Sequence, residues 1–222
     1  MKMPKSFSWS YSKLKNFETC PKRHNEVDLL KNFTDESDAL TQGNQTHKIL
    51  ADACRTGELP PEYQDYQRWV DEMRNGPGEL LIEQKWAIKE DFSPCEFFSP
   101  RAWYRGIGDV VRVDGPVALL RDWKTGKVLT DSVQLMLMSA CVFAFHPKVR
   151  RVRAEFVWLK EDCCTGETFD RSTIQNEWIG VLQRVKALKY AYDKQDYQPT
   201  PNKLCAKWCP VKTCEYHGKR LG

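Results

Sequence analysis

The sequence predicts an α/β fold, a mixed β-sheet flanked by helices, on three observations. Residues 105–127, RGIGDVVRVDGPVALLRDWKTGK, hold two β-branched, alternating runs joined by Asp114-Gly115, a hairpin turn signal. Residues 130–145, TDSVQLMLMSACVFAF, are almost continuously apolar and read as a helix buried against a sheet, and 149–160, VRRVRAEFVWLK, return as a strand. Residues 36–55 and 172–193 repeat apolar side chains at helical spacing.

In chain order, Ser8 or Ser10 caps a first helix carrying Leu14 and Phe17. Pro21, directly after Cys20, breaks it, and Val27 and Leu30 follow. The helix over 36–55 turns Leu40, His47, Ile49, Leu50 and Ala53 inward, and residues 56–78 give a loop and a helix that stops at Asn75-Gly76-Pro77-Gly78. Residues 79–90 alternate as a strand that carries Glu83. The aromatic-rich connection 91–104 has two readings, bases stacked on its rings or, more commonly, core packing. After the hairpin, the apolar helix ends at His146-Pro147, and the next strand sets Val152, Ala154, Phe156 and Trp158 on one face. Residues 162–167 read as a turn, with Cys163 and Cys164 adjacent and badly placed to share a metal. The last helix has the stripe Ile174, Trp178, Val181, Leu182, Val185, Leu188 and Tyr192. No internal repeat or low-complexity segment occurs.

The hairpin carries the chemistry. Alternation points Asp122 and Lys124 the same way, and Asp109 on the first strand can face them. Two carboxylates can hold a hard cation such as Mg²⁺, and a lysine beside them can orient a water for attack on a phosphodiester. The bland alternative is a turn-closing Asp109 and a solvated Asp122–Lys124 pair. Gly-Ile-Gly-Asp upstream and Asp-Trp-Lys-Thr-Gly-Lys at hairpin distance weigh against it.

These two motifs resemble the PD-(D/E)XK nuclease superfamily, specifically its RecB-like branch, which includes CRISPR-adaptation nucleases and many bacteriophage exonucleases. The resemblance implies a restriction-endonuclease-like mixed sheet, Asp109 and Asp122 as ligands of Mg²⁺ or Mn²⁺, and Lys124 as the catalytic lysine. The opening S-Y-S-K-L-x-x-F-E-x-C-P of this chain is similar to that of RecB-like nucleases. Gly43-x-x-x-His47 matches a motif whose histidine joins the metal site, and Glu83 lies where the branch carries a glutamate on its first core strand. Gln134 matches Gln-x-x-x-Tyr, a motif that borders the active site and contacts DNA, although Met138 replaces the tyrosine.

The C-terminal tail holds a second cluster. Cys205, Cys209 and Cys214 follow C-x3-C-x4-C, with His217 just beyond. Three cysteines so grouped are hard to explain as packing, and thiolates on a turn suit a soft metal. Adding distant Cys20 gives a four-cysteine iron–sulfur site, and adding His217 gives a Cys₃His zinc site. Cluster-bearing RecB-like nucleases have one cysteine before an N-terminal proline and three near the C-terminus, which implies [4Fe–4S] on Cys20, Cys205, Cys209 and Cys214. Their usual tail spacing is C-x2-C-x5-C, so structural Zn²⁺ stays as the alternative. Either metal would join the tail, residues 199–222, to residues 8–24 and restrict the unfolded chain.

Composition sets the remaining bounds. The chain has 222 residues, 41% hydrophobic and 29% charged, ordinary values for a globular protein and enough for a single domain spanning 1–222. It shows no apolar run of membrane-spanning length, and its lysine-bearing start has no apolar h-region, so an intracellular protein is expected, in the host cytoplasm if phage-encoded. Nine cysteines in such a compartment mean metal ligands or free thiols. The formal charge is only +4, but basic residues cluster at Lys2, Lys5, Lys13, Lys15, Lys22 and Arg23, at Lys148, Arg150, Arg151 and Arg153, and at Lys203, Lys207, Lys212, Lys219 and Arg220, which suits a polyanion.

The expected function is a divalent-metal-dependent deoxyribonuclease. The resemblance favours an exonuclease acting on DNA ends or single strands, in phage recombination and replication or in CRISPR-adaptation-like processing. No GxxxxGK[ST] occurs, so a helicase or recombination partner would be a separate protein, and relatives that form rings admit an oligomer. The competing class is a DNA-binding or assembly module with an idle pocket.

Overall fold

The structure, a computed structural model, describes residues 6–35 and 37–220. Lys2 and Lys5 of the first basic cluster, Glu36 at the expected helix start and the last two tail residues lie outside these. The chain divides into two compact units. One is built from residues up to Ser8 with Thr41–Ile179, the other from Trp9–Leu40 with the residues from Gly180 onward.

The first unit is organised on a six-stranded sheet. Its strands are β1 (Glu79–Ile88), β2 (Pro94–Cys95), β3 (Tyr104–Asp114), β4 (Val117–Lys124), β5 (Arg151–Trp158) and β6 (Cys163–Asp170), in the order β2-β1-β3-β4-β5-β6. β4 and β5 run parallel, and the other neighbours are antiparallel. The parallel pair needs a crossover, which α5 (Val133–Phe145) supplies. The expected mixed sheet flanked by helices is therefore present.

Alternation fixes what each face receives. Val110, Trp123 and Val157 point to one face, where they form a core with Leu50 of α3 (Asp38–Thr56) and Val70 and Met73 of α4 (Gln67–Arg74). Each of these side chains is essentially inaccessible, and burial of one such side chain contributes about 1.5–3 kcal/mol. Leu120, Asp122, Ala154 and Phe156 alternate to the other face, which α5 covers with a nearly all-round apolar surface. The connection 91–104 largely follows the core reading: Trp103 and Tyr104 are buried, and the Phe92 ring lies 4.9 Å from that of Trp178, edge to face.

One expectation is corrected. Residues 162–167 were expected to turn, but only Asp162 does, in the left-handed region at φ 46°. Cys163–Asp170 form β6 against β5. Gly166, within that stretch, makes a close backbone approach in the sheet. A Cβ there would stand 2.2 Å from the Ala154 carbonyl oxygen.

In the second unit, Ser10 caps α1 (Tyr11–Thr19) by accepting the Lys13 N–H at 3.4 Å. α2 (Pro21–His24) follows the break at Cys20, and a π-turn, Asn25–Leu29, extends it. α6 (Ile174–Lys194) begins in the first unit and continues here. The two sequence-distant parts are tied side chain by side chain. Arg184 clasps Glu18 at 2.5 and 2.9 Å, and Asn202 Nδ2 donates to the Thr19 carbonyl at 3.0 Å. Buried His24 lies 2.8 Å from Asp28 through Nδ1. Burial works to raise the Asp28 pKa, but the hydrogen bonds from His24 and Asn16 and the His24 charge outweigh it, so this carboxyl stands below its usual range.

Candidate active site

The site forms where two neighbouring strands part. β3 and β4 are paired from Asp114↔Val117 to Val110↔Arg121, and the ladder stops there. The next residues in register are Asp109 and Asp122. In place of a ladder bond, Asp109 Oδ2 accepts the Trp123 N–H at 2.8 Å, which holds the carboxylate at the mouth of the gap. Asp122 and Lys124 share a face, and Lys124 Nζ stands 2.5 Å from Asp122 Oδ2. Gln134, in the first turn of α5, bridges this pair. Its Oε1 accepts from Lys124 Nζ at 3.0 Å, and its Nε2 donates to Asp122 Oδ1 at 2.8 Å.

His47 arrives from α3. It sits one turn before Leu50 on the helix face that joins the core, and its Nδ1 lies 3.1 Å from Asp109 Oδ2. Gly43, one turn earlier, lets this helix come close: a Cβ there would be 3.3 Å from Thr125 Oγ1, just past Lys124. Gly108 does the same for the strand, since its Cβ would stand 2.7 Å from the Trp86 ring and 3.5 Å from Met138 Cε. Met138 thus fills part of the space beside the hairpin that the tyrosine of the motif was expected to occupy.

The charges are strongly perturbed. Burial, opposed by Lys124 but reinforced by the like charge of Asp109, pushes the Asp122 pKa up to about 6. For His47 burial disfavours the imidazolium, but the hydrogen bond and charge of Asp109, with Asp122 behind, overcome it and raise the pKa. Asp122 Oδ2 is buried, and its near partner is Lys124 Nζ at 2.5 Å. A buried carboxylate held above its range gains from nearby positive charge, which a divalent cation would add. By donor chemistry the carboxylates of Asp109 and Asp122 suit an oxygen-seeking ion, although these two and His47 are not gathered in a metal-holding geometry.

Glu83 stays out of this group. The β1–β3 register pairs Ile82 with Val110 and Gln84 with Gly108, so a regular strand would set Glu83 opposite Asp109 on its face. Instead Glu83 adopts φ +49°, uncommon without glycine, and its carboxylate pairs with Arg55 of α3 at 2.9 Å. Two neighbours of the site had no signal of their own in the sequence. Trp123 contributes its backbone N–H, and Phe156 lies beneath Lys124, whose Nζ is 4.7 Å from the ring centroid. The D-W-K string marked Trp123 only as a spacer, and Phe156 becomes a neighbour through the Asp122↔Phe156 register.

A family model describing the PD-(D/E)XK nuclease superfamily matches residues 8–96. Over that stretch, less than half of its length, the chain is similar to this superfamily. The matched stretch covers α1 to β2 and includes His47 and Glu83, while Asp109, Asp122, Lys124 and Gln134 lie beyond it and rest on the geometry above. No curated protein sequence matches the chain. Among solved structures, a protein from Eubacterium rectale provisionally described as an exonuclease aligns with 90% of this chain and 86% of its own, at 13% identity and a TM-score of 0.52. That likeness is one of fold. A structure named SSO0001 aligns with 94% of this chain and 85% of its own at 12% identity, with a TM-score of 0.42.

The four expected cysteines line one small cavity of the second unit, about 20 Å³ in volume. Cys20 Sγ accepts the Thr200 N–H and Cys205 Sγ the Asn202 N–H, both at 3.4 Å, and burial raises the Cys209 pKa with Cys205 and Cys20 close enough to add to it. Cys214 completes the lining, and His217 is not part of it. Among the described residues, no set of three or more His, Cys, Asp or Glu side chains stands in a geometry that could hold a metal ion. Several basic residues are committed inside the fold: Arg23 to Asp35 at 2.7 Å, Arg151 to Asp170 at 3.1 Å and Arg153 to Glu155 at 3.0 Å. The clusters thus present less free positive charge than the sequence suggests. Among the described residues no helix is long and apolar enough to cross a membrane.

Proposed function

We propose that the chain is a divalent-metal-dependent deoxyribonuclease that hydrolyses phosphodiesters at DNA ends or in single strands. One observation carries this reading: Asp109, Asp122 and Lys124 meet where β3 and β4 part, with Gln134 bridging the last two and His47 on the first. The exonuclease description of the Eubacterium rectale protein agrees with the end-directed form of the proposal.

Asp109, Asp122 and His47 would hold Mg²⁺ or Mn²⁺, and the chemistry such an ion supplies when bound is polarisation of a phosphate and acidification of water. The protein does the positioning. The Trp123 N–H fixes the Asp109 carboxylate, and the Gln134 amide keeps Asp122 and Lys124 in register with each other. Lys124 then presents a proton donor to the phosphate or to the attacking water. His47 shares a hydrogen bond with Asp109, and for it to ligate through nitrogen it must be neutral.

In the second unit, Cys20, Cys205, Cys209 and Cys214 form the proposed [4Fe–4S] site. The shared cavity and the backbone N–H donors to two of the sulfurs support this set over the zinc set with His217. Its role is to join the two ends of the chain.

Labelled single-stranded and duplex DNA, incubated with Mg²⁺ or Mn²⁺, tests the catalytic reading. Wild-type protein should cut, and folded Asp109→Ala, Asp122→Ala and Lys124→Ala should each lose orders of magnitude in rate. A folded Asp122→Ala protein that cuts like the wild type would refute the assignment. A wild type that binds DNA and never cuts it would leave a binding module with an idle pocket.

A further inference from the structure

Beside the catalytic group lies a cavity that the proposed chemistry does not use. It has a volume of about 200 Å³, far more than an ordered water needs and less than the roughly 300–1,000 Å³ of pockets for drug-sized ligands. Phe156, Leu135 and Leu129 supply its apolar surface, and Thr165, Asp131 and Glu167 its polar one. Its place is set by the sheet register. Phe156 pairs with Asp122 across β4 and β5, and the same ring carries Lys124 Nζ at 4.7 Å. Leu135 follows Gln134 on α5. The cavity therefore begins one side chain away from the reacting centre.

Its charge decides what it accepts. Two carboxylates line it, and neither lysine nor arginine does. Such a lining repels phosphate, so the occupant is not another stretch of DNA backbone. It suits a flat apolar ring with N–H donors on its edge. Asp131 is already engaged, its Oδ1 accepting the Val133 N–H at 3.1 Å, whereas Glu167, exposed, stands on the same face of β6 as Thr165. A carboxylate placed there is an acceptor for an exocyclic amino group, as in the pairing of Glu with cytosine N4.

We propose that this cavity is a nucleobase subsite, which takes an unstacked base next to the scissile phosphate and favours bases that carry an exocyclic amino group. The proposal rests on the nuclease reading above. A base enters only when it is out of its stack, so the subsite selects single strands and frayed ends over closed duplex, where unstacking costs a few kcal/mol. It also predicts that cytosine is preferred over thymine, which offers a carbonyl where cytosine offers an amine.

The test uses equal-length, dye-labelled deoxycytidine and deoxythymidine homopolymers, with binding followed by anisotropy in chelator, where no turnover occurs. The wild type should bind the cytidine strand about tenfold more tightly, the discrimination of one well-made base contact. Glu167→Gln, on an exposed strand surface, should bring the two within about twofold, because an amide can both accept from cytosine and donate to thymine. Leu129→Trp, on an exposed loop, should fill the cavity and weaken both strands to the affinity shown by an abasic strand. Equal wild-type binding of the two strands, or a preference that survives Glu167→Gln, overturns the subsite. Cleavage with added Mg²⁺ is scored separately. Base preference without cleavage keeps the subsite and refutes the nuclease reading, and cleavage without base preference does the reverse.

Discussion

Gln134→Met tests how much of the site depends on the amide that bridges Asp122 and Lys124. The substitution keeps length and volume in α5 and removes two hydrogen bonds, of 2.8 and 3.0 Å, both to charged partners. A hydrogen bond to a charged group contributes about 1.5–3 kcal/mol, so the pair sets an upper bound of about 3–6 kcal/mol. The whole amount does not reach the transition state, since Lys124 still contacts Asp122 directly at 2.5 Å and holds part of the geometry. Taking about 2 kcal/mol as the share lost in positioning, kcat/KM falls about 30-fold, at 1.36 kcal/mol per tenfold. The assay is steady-state cleavage of labelled single-stranded DNA across a Mg²⁺ titration, with thermal melts alongside. Gln134 acts through its neighbours, so the metal concentration for half-maximal rate should also rise, a change that simple loss of stability does not produce. Unaltered kcat/KM and an unaltered Mg²⁺ profile would refute the bridging role.

Other expectations follow from the geometry. Gly108→Ala places a Cβ 2.7 Å from the Trp86 ring, so it should cost about 1–3 kcal/mol of stability, read as a lowered denaturation midpoint. Asp28 has a folded-state pKa below its ordinary 3.8, so its contribution is fully present above that value and is lost as pH falls through the lower folded value. Asp28→Asn should therefore destabilise by about 1–2 kcal/mol at neutral pH, and calorimetry should show the gap to wild type closing in acid. Anaerobically purified protein should be brown and contain iron. Cys20→Ser should lose the iron and melt at lower temperature while His217→Ala keeps it, and the opposite pattern with zinc would replace the cluster by a Cys₃His site.

The sequence made Asp109, Asp122 and Lys124 legible because strand alternation and a two-strand hairpin are local rules. His47 was legible only through the resemblance of Gly43-x-x-x-His47 to a family motif, and the glycine is a point of close approach to Thr125. Gln134 could be noticed, but its double contact could not, because it depends on where the crossover helix lies over the sheet. Glu83 shows the opposite limit. Its strand was read correctly, but one left-handed residue turns its carboxylate to Arg55, and no periodicity encodes that rotation. β6 was missed because residues 162–167 were read as a turn, while Gly166 among them makes a close backbone contact in a sheet.

The second unit draws its residues from both ends of the chain, before Thr41 and after Ile179. This has a consequence for the order of events during synthesis. Translation delivers the amino-terminal part first, and Cys20 and His24 then lack their contacts with Thr200 and Tyr197 until the tail has left the ribosome. The sheet unit is nearly contiguous and has all its strands well before that, so Asp109, Asp122 and Lys124 can be gathered on a nascent chain whose other unit cannot yet close. A ribosome stalled late in the tail, with β6 already outside and α6 not yet released, would hold the gathered Asp109, Asp122 and Lys124 alongside amino-terminal cysteines without their partners. The interval between those two states is set by translation speed.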